Sequence, residues 1–346
     1  MPKSPTLRAQ NTHIKLSLLE GSKAYANLRK EVTQAGILNR AYGYYLMMAV
    51  LAFGGFFATI YLIYITPSLL LAATLGLIFT FFTIQLGGLF HDAGHRAIFT
   101  SPKLNDLVGH LVGFLVIDSI DAWMRVHNKH HASTNEIGED PDLEIPLHSF
   151  TTSRFAKETG LSGIFKKYQV YTFYPLRVLI FFTRKGTALF YFIETFKWTN
   201  SWKLVLFFIG FTFWFVLPFA LFDLSKALVV ILTVGISGGF YMSNIFAPNH
   251  KGMPQFKKGQ KASFLEHQII TSRNLKGGYL TELFFIGLNY QIEHHLFTNC
   301  PRNKLKLVTP YVKKLCSKLR LEYSEVGLVE TNKIILHELH QVALSA

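Results

Sequence analysis

Apolar positions along this chain collect into four long runs that hold no Asp, Glu, Lys or Arg. The first covers Tyr44 to Ile65 and the second Ser68 to Phe90, with only Thr66 and Pro67 between them. The third covers Leu204 to Phe222 and the fourth Ala227 to Ala247, joined by Asp223-Leu224-Ser225-Lys226. A stretch of ~20 apolar residues spans a hydrocarbon core of ~30 Å. Only helices and closed barrels satisfy their backbone in lipid, and these runs are too long for barrel strands. The pattern predicts two transmembrane helical hairpins, 44–65 with 68–90 and 204–222 with 227–247, in an all-α integral membrane protein.

Two further segments are apolar but interrupted. Leu104 to Trp123 contains Asp106, His110, Asp118 and Asp121, and Tyr168 to Trp198 contains Arg177, Arg184, Lys185, Glu194 and Lys197. Both read as interfacial or re-entrant. Pro and Gly around 248–259 mark a loop, and 303–346 reads as soluble helix. No short apolar run precedes a cleavage site in the polar first 40 residues, so no signal peptide is expected.

Charge fixes the expected topology. Of the 35 Lys and Arg residues, 33 fall in segments 1–43, 91–202 and 251–346; the exceptions are Lys203 and Lys226. The positive-inside rule makes that side cytoplasmic, with both termini there. The formal charge of +14 is then explained by topology, and nucleic acid is not an expected partner. The expected organisation is a cytoplasmic N-terminal segment 1–43, a membrane domain 44–300 with a cytoplasmic helical cap at 91–203 and 248–300, and a C-terminal helical segment 301–346. Half of the residues are hydrophobic, only 16% are charged and mean hydropathy is +0.26. Soluble domains carry about 25% charged residues, so an ordinary soluble enzyme is excluded. Two cysteines, Cys300 and Cys316, are too few for a disulfide framework.

The histidines form three clusters: His91-Asp92-Ala93-Gly94-His95, His127-Asn128-Lys129-His130-His131 and Gln291-Ile292-Glu293-His294-His295. His250, in Pro248-Asn249-His250, adds a fourth element. Spacings of three and four place each set on one helix face, and the topology puts all four elements at the cytoplasmic ends of their helices. They can converge on one site. Imidazole suits Fe, Zn, Cu and Ni. So many ligands exceed one tetrahedral zinc but suit two metal ions, and thiolate-free nitrogen ligation fits iron that must bind O2. Asp92, Asn128, Asp140 and Glu293, with Glu136, Glu139 and Asp142, are candidates to hold the histidine tautomers. His13, His110, His148, His267, His337 and His340 belong to no cluster and read as surface or core residues.

At these residues the sequence resembles the membrane fatty acid desaturases, across roughly residues 40–325. HDAGH, HNKHH and QIEHH stand in the family's order and spacing. A third box opening on Gln291 resembles the front-end desaturases, as do the flanks 131–142 and 249–254. The resemblance implies a cytoplasmic cap holding a non-haem di-iron site, with His91, His95, His127, His130, His131, His250, His294 and His295 as ligands. Gln291 takes the place of a further ligand, bound directly, through a water, or only as a hydrogen-bond partner of one. It also implies oxygen-dependent insertion of a cis double bond into a long-chain acyl-CoA or acyl-lipid, such as at the Δ6 or Δ5 position. Many eukaryotic front-end desaturases carry a fused cytochrome b5 domain with a His-Pro-Gly-Gly motif. That motif is absent from this chain. The expected electron donor is therefore a separate protein, a ferredoxin or a free cytochrome b5 with its reductase. The expected location is a bacterial inner membrane, or the endoplasmic reticulum in a eukaryote.

The rivals are a sphingolipid desaturase or histidine-box lipid hydroxylase, a non-enzymatic haem membrane protein and a zinc-dependent membrane hydrolase. A haem protein would place paired histidines inside the four runs, and none is there. A zinc hydrolase needs about three ligands with an open position, which leaves most of these histidines unexplained. Lys251, Lys257, Lys258, Lys261 and Arg273 read as a solvated positive loop or as phosphate ligands.

Overall fold

The computed structural model describes residues 14–144, 147–157 and 160–344; Lys3, Arg8 and His13 lie outside them. The helices in chain order are α1 (Leu18–Gln34), α2 (Tyr42–Ile65), α3 (Leu69–Gly94), α4 (Pro102–Val116), α5 (Ile120–Ala132), α6 (Thr152–Lys157), α7 (Gly160–Lys167), α8 (Gln169–Arg177) and α9 (Ile180–Glu194). There follow α10 (Ser201–Phe211), α11 (Leu217–Leu221), α12 (Leu224–His250), α13 (Phe264–Thr271), α14 (Tyr279–Phe284), α15 (Gln291–Leu296), α16 (Leu305–Leu319) and α17 (Leu328–Leu344). Two short strands, β1 (Asn274–Leu275) and β2 (Glu325–Val326), pair in parallel. Contacts divide the chain into two units. The first gathers residues up to Asn39, Val126–Pro175 and those from Ile245 onward; the second holds Arg40–Arg125 and Leu176–Asn244.

Four helices of the described residues are long and apolar enough to cross a membrane: Tyr42–Ile65, Leu69–Gly94, Trp198–Leu221 and Leu224–His250. They match the four runs, with two differences at their ends. α3 and α12 continue past the last apolar residue to Gly94 and His250, so box residues ride on the final turns of spanning helices. The third span is interrupted by a π-helical turn at Thr212–Val216. Pro218 lies just beyond it and cannot donate to the carbonyl four residues back, which favours a local widening there.

In the second unit the hairpin turn between α2 and α3 is short because Ser68 caps α3, its hydroxyl accepting from Leu71 N–H. Lys226, the one basic residue in the opposite turn, is buried. Its ammonium donates to the carbonyls of Thr66 at 2.6 Å and Tyr64 at 3.2 Å. A cation at the carbonyl end of α2 offsets the helix dipole, which accounts for a lysine in this turn. Close approach continues along α12. A Cβ on Gly239 would lie 1.9 Å from the Val178 carbonyl oxygen, so only glycine fits. Thr80 and Ser237 share a hydrogen bond of 2.7 Å between α3 and α12. α4 and α5 meet at a 105° bend, where Ile117 takes a left-handed φ of 52°. Arg184 clamps the bend by bonding Asp118 through both Nε and Nη2.

The first unit is built on an apolar core shared by α1, α13, α15 and α16, with Leu28, Val32, Leu265, Ile269, Ile292, Val308 and Val312 at its centre. Each such side chain stabilises by ~1.5–3 kcal/mol when fully buried. A second core joins Leu143, Phe150 and Phe173 to Ile335 and Leu339 of α17. The start of the described chain is pinned by Glu266, whose carboxylate accepts from the backbone N–H of Lys15 and Leu16.

Candidate metal centre

Within the first unit, three elements bring imidazoles together. His127, His130 and His131 lie on the last turns of α5, His250 ends α12, and His294 and His295 lie on α15. Ring centroids are 4.7 Å apart for His130 and His250, 4.6 Å for His250 and His295, and 5.3 Å for His130 and His295. Each of these three offers a ring nitrogen within 4.8 Å of the others, and all three are buried. His131 sits beside this trio, 4.1 Å from His295, and also 4.9 Å from His294 and 4.5 Å from His127.

Hydrogen bonds orient the trio. His130 Nδ1 lies 2.9 Å from Asp140 Oδ1, His250 Nδ1 is 3.0 Å from the Thr271 carbonyl, and His295 Nδ1 is 2.7 Å from Gln268 Oε1. All three partners are acceptors, so each Nδ1 carries the proton. Each Nε2 then keeps its lone pair, the arrangement that fixes metal-ligating histidines, and at His250 that lone pair accepts from the Gln291 amide N–H. Gln291 belongs to the same place. Its Nε2 is 2.9 Å from His250 Nε2, and its Oε1 accepts from Asn249 Nδ2 at 3.1 Å.

Asp140 is fully buried. Burial raises its pKa, yet the charge and hydrogen bond of His130, with Lys251 and the Asn135 N–H, hold it down at about 2. Glu293 is also buried, and its carboxylate accepts from Asn274 and Tyr323. Burial pushes its carboxyl above the ordinary range, against those hydrogen bonds. Asn128 is exposed. Glu136 accepts from Gly259 N–H, and Glu139 pairs with Lys258 and Lys129 at the surface.

The two flanking motifs are joined. Phe256 N–H donates to Asn135, Ile137 N–H donates to Phe256, and Asn135 Nδ2 donates to the His250 carbonyl. This ties the loop after the second box to the loop after His250. Arg273 and Lys251 are buried and serve as caps. The Arg273 guanidinium bonds the Pro248 and Lys251 carbonyls at the end of α12, and Lys251 donates to the Asp142 carbonyl. They are neither solvated nor placed as phosphate ligands. Lys257, Lys258 and Lys261 are exposed.

In the second unit, His91 and His95 end α3 with ring centroids 4.6 Å apart. His91 Nδ1 is 3.0 Å from Asp92 Oδ1, and Tyr45 donates its hydroxyl to Asp92 Oδ2 at 3.0 Å. The same carboxylate–histidine design thus recurs at the first box. Gln268, Thr271 and Tyr45 carried no signal in the sequence, because their role is set by partners far along the chain.

The unclustered histidines do other work. His267 bonds the Thr134 carbonyl, His148 is buried against Phe173, and His110 meets Trp202 edge-on. His337 and His340 are exposed. Cys300 and Cys316 are buried in the apolar core of the first unit. The donor set is thiolate-free, rich in neutral imidazole and backed by carboxylate and carbonyl. It fits a first-row metal such as iron, whose role would be to activate oxygen.

The family described as fatty acid desaturase matches residues 67–327. Over 318 residues the chain is 28% identical to the Delta(5) fatty acid desaturase fat-4 of Caenorhabditis elegans, covering 87% of this chain and 70% of that protein. It is 31% identical over 281 residues to an acyl-lipid (9-3)-desaturase of Physcomitrium patens, covering 76% of this chain and 51% of that protein. A Delta(8)-fatty-acid desaturase of Euglena gracilis is 29% identical over 265 residues, which is 69% of this chain and 60% of that protein.

Proposed function

The chain belongs to the fatty acid desaturase family, a membrane oxidoreductase family, and from that premise we propose that it inserts a cis double bond into a long-chain acyl substrate by front-end chemistry. In this reading a pair of iron ions is held by His91, His95, His127, His130, His131, His250, His294 and His295. His91 and His95 join the set on the strength of box order. The observation that carries the reading is the trio His130, His250 and His295, each with its Nδ1 proton committed to an acceptor.

The overall change is balanced by a reductant: –CH2–CH2– plus O2, two electrons and two protons gives –CH=CH– and two waters. Iron would supply the oxygen activation. The protein's own residues hold the ligands, exclude water and align the acyl chain. One methylene alters pocket energy by only ~1–3 kcal/mol, so regiochemistry depends on where the chain is stopped. Gln291 supports front-end regiochemistry, and relatives named as Delta(5) and Delta(8) desaturases support the same class. The substrate is an acyl-CoA or an acyl-lipid, and the termini face the cytoplasm by the positive-inside rule.

Gas chromatography of fatty acids from expressing cells fed linoleate tests the reaction. A new double bond between the carboxyl group and the existing ones is expected; an unchanged profile across several fed acids overturns the proposal. Metal analysis tests the centre, with iron and no haem absorbance expected. A single zinc per chain would argue for a hydrolase instead.

A further inference from the structure

The helix α16 holds Lys306, Lys313, Lys314 and Lys318, and Arg320 follows its last turn; it contains no acidic residue. All five cations are exposed. Glu282 pairs with Lys306 and Glu325 with Lys313. No carboxylate pairs with Lys314 or Lys318 among the described residues. These two stand four apart on one face, an arrangement that destabilises a helix by ~0.2–0.5 kcal/mol. Lys15 adds a further cation at the same end, its ammonium 2.7 Å from the Arg320 carbonyl. Leu307, half exposed on the first turn, adds an apolar contact point to the charged face.

The opposite face is apolar. Val308, Val312 and Cys316 share a core with Ile292 and Leu296 of α15, the helix that carries His294 and His295. Packed helices have axes ~8–10 Å apart. The cationic stripe therefore lies one helix layer from the third histidine box.

We propose that the exposed face of α16, centred on Lys314 and Lys318, docks an acidic one-electron carrier protein, and this rests on the functional reading above. Each double bond consumes two electrons, so a one-electron carrier must dock and leave twice. A small, charge-steered interface suits such traffic, because electrostatics raises the encounter rate without slowing release. The carrier is oxidised by one electron per visit, and the protons come from water.

The test uses the whole iron-loaded protein in vesicles of neutral phosphatidylcholine, with a soluble ferredoxin and a soluble cytochrome b5 as probes. The double variant Lys314→Glu/Lys318→Glu should weaken binding of the productive carrier, and its second-order reduction rate, by about tenfold or more at low salt. High salt should close the gap. Lys314→Gln/Lys318→Gln should lose less. Reduction by dithionite, and the double bond formed with it, should stay at wild-type levels. Unchanged carrier affinity overturns the proposal, and so does an equal loss with dithionite, which would mark structural damage. A defect that appears only in vesicles containing anionic lipid overturns it in favour of a bilayer contact. Wild-type protein that binds the carrier but makes no double bond, even with dithionite, sinks the desaturase reading instead.

Discussion

His130 donates its Nδ1 proton to Asp140 across 2.9 Å, and both side chains are sealed from solvent. The carboxylate also accepts from the backbone N–H of Asn135 and Asp142, so the loop after the second box folds around it. A buried hydrogen bond from a neutral imidazole to a carboxylate orients a ligand more than it adds stability. Asp140→Asn keeps an acceptor but removes the charge. Metal affinity should fall by about 10–100-fold, read by competitive titration with a chelator. Unaltered affinity would show that Asp140 does not tune the ligand. His130→Ala should lose the metal and all product.

The same pair makes the metal-free protein acid-sensitive. The folded pKa of Asp140 lies at about 2, below the ordinary 3.8. A carboxylate with a depressed folded pKa contributes stability above its unfolded value, and that contribution is lost as pH falls through the folded one. The window therefore runs from about pH 4 down to about pH 2. Denaturant midpoints of metal-free wild type and Asp140→Asn should converge across that window; a constant gap would refute the linkage.

Tyr45→Phe removes one hydroxyl and leaves the ring. Its hydrogen bond to Asp92 steadies the carboxylate that faces His91. Metal affinity should fall by roughly tenfold, at the lower end for such outer contacts and less than for Asp92→Ala. A loss of activity with full metal content and affinity would point to a different role for Tyr45.

Gly239→Ala places a methyl group against the Val178 carbonyl, which is backbone and cannot swing aside. The variant should be less stable by about 1–3 kcal/mol, seen as a lower thermal midpoint in detergent. Gly87→Ala, where nothing stands within 4 Å, is the control and should be neutral or slightly stabilising.

Much of the site was legible because histidine spacing and helix periodicity are local. His127, His130 and His131 share a face of α5 for the same reason that i, i+3 and i+4 always do. Asp140 was legible as a carboxylate near a box. Gln268 was not, since an amide in the middle of α13 carries no periodic signal until His295 is placed against it. Lys251 and Arg273 misled for the same reason. Their charge reads as exposed in the chain, but the carbonyls at the end of α12 draw both inward.

By itself the sequence determined four spanning helices, a strong bias of basic charge toward one side, and three histidine boxes with one outlying histidine. Those properties depend on composition and on spacing within single helices. Tertiary structure alone decided which acceptor holds each Nδ1 proton, that Gln291 lies between Asn249 and His250, and that α16 backs the third box. Such relationships join residues tens to hundreds of positions apart, and they form only when burial forces each polar group to find a partner.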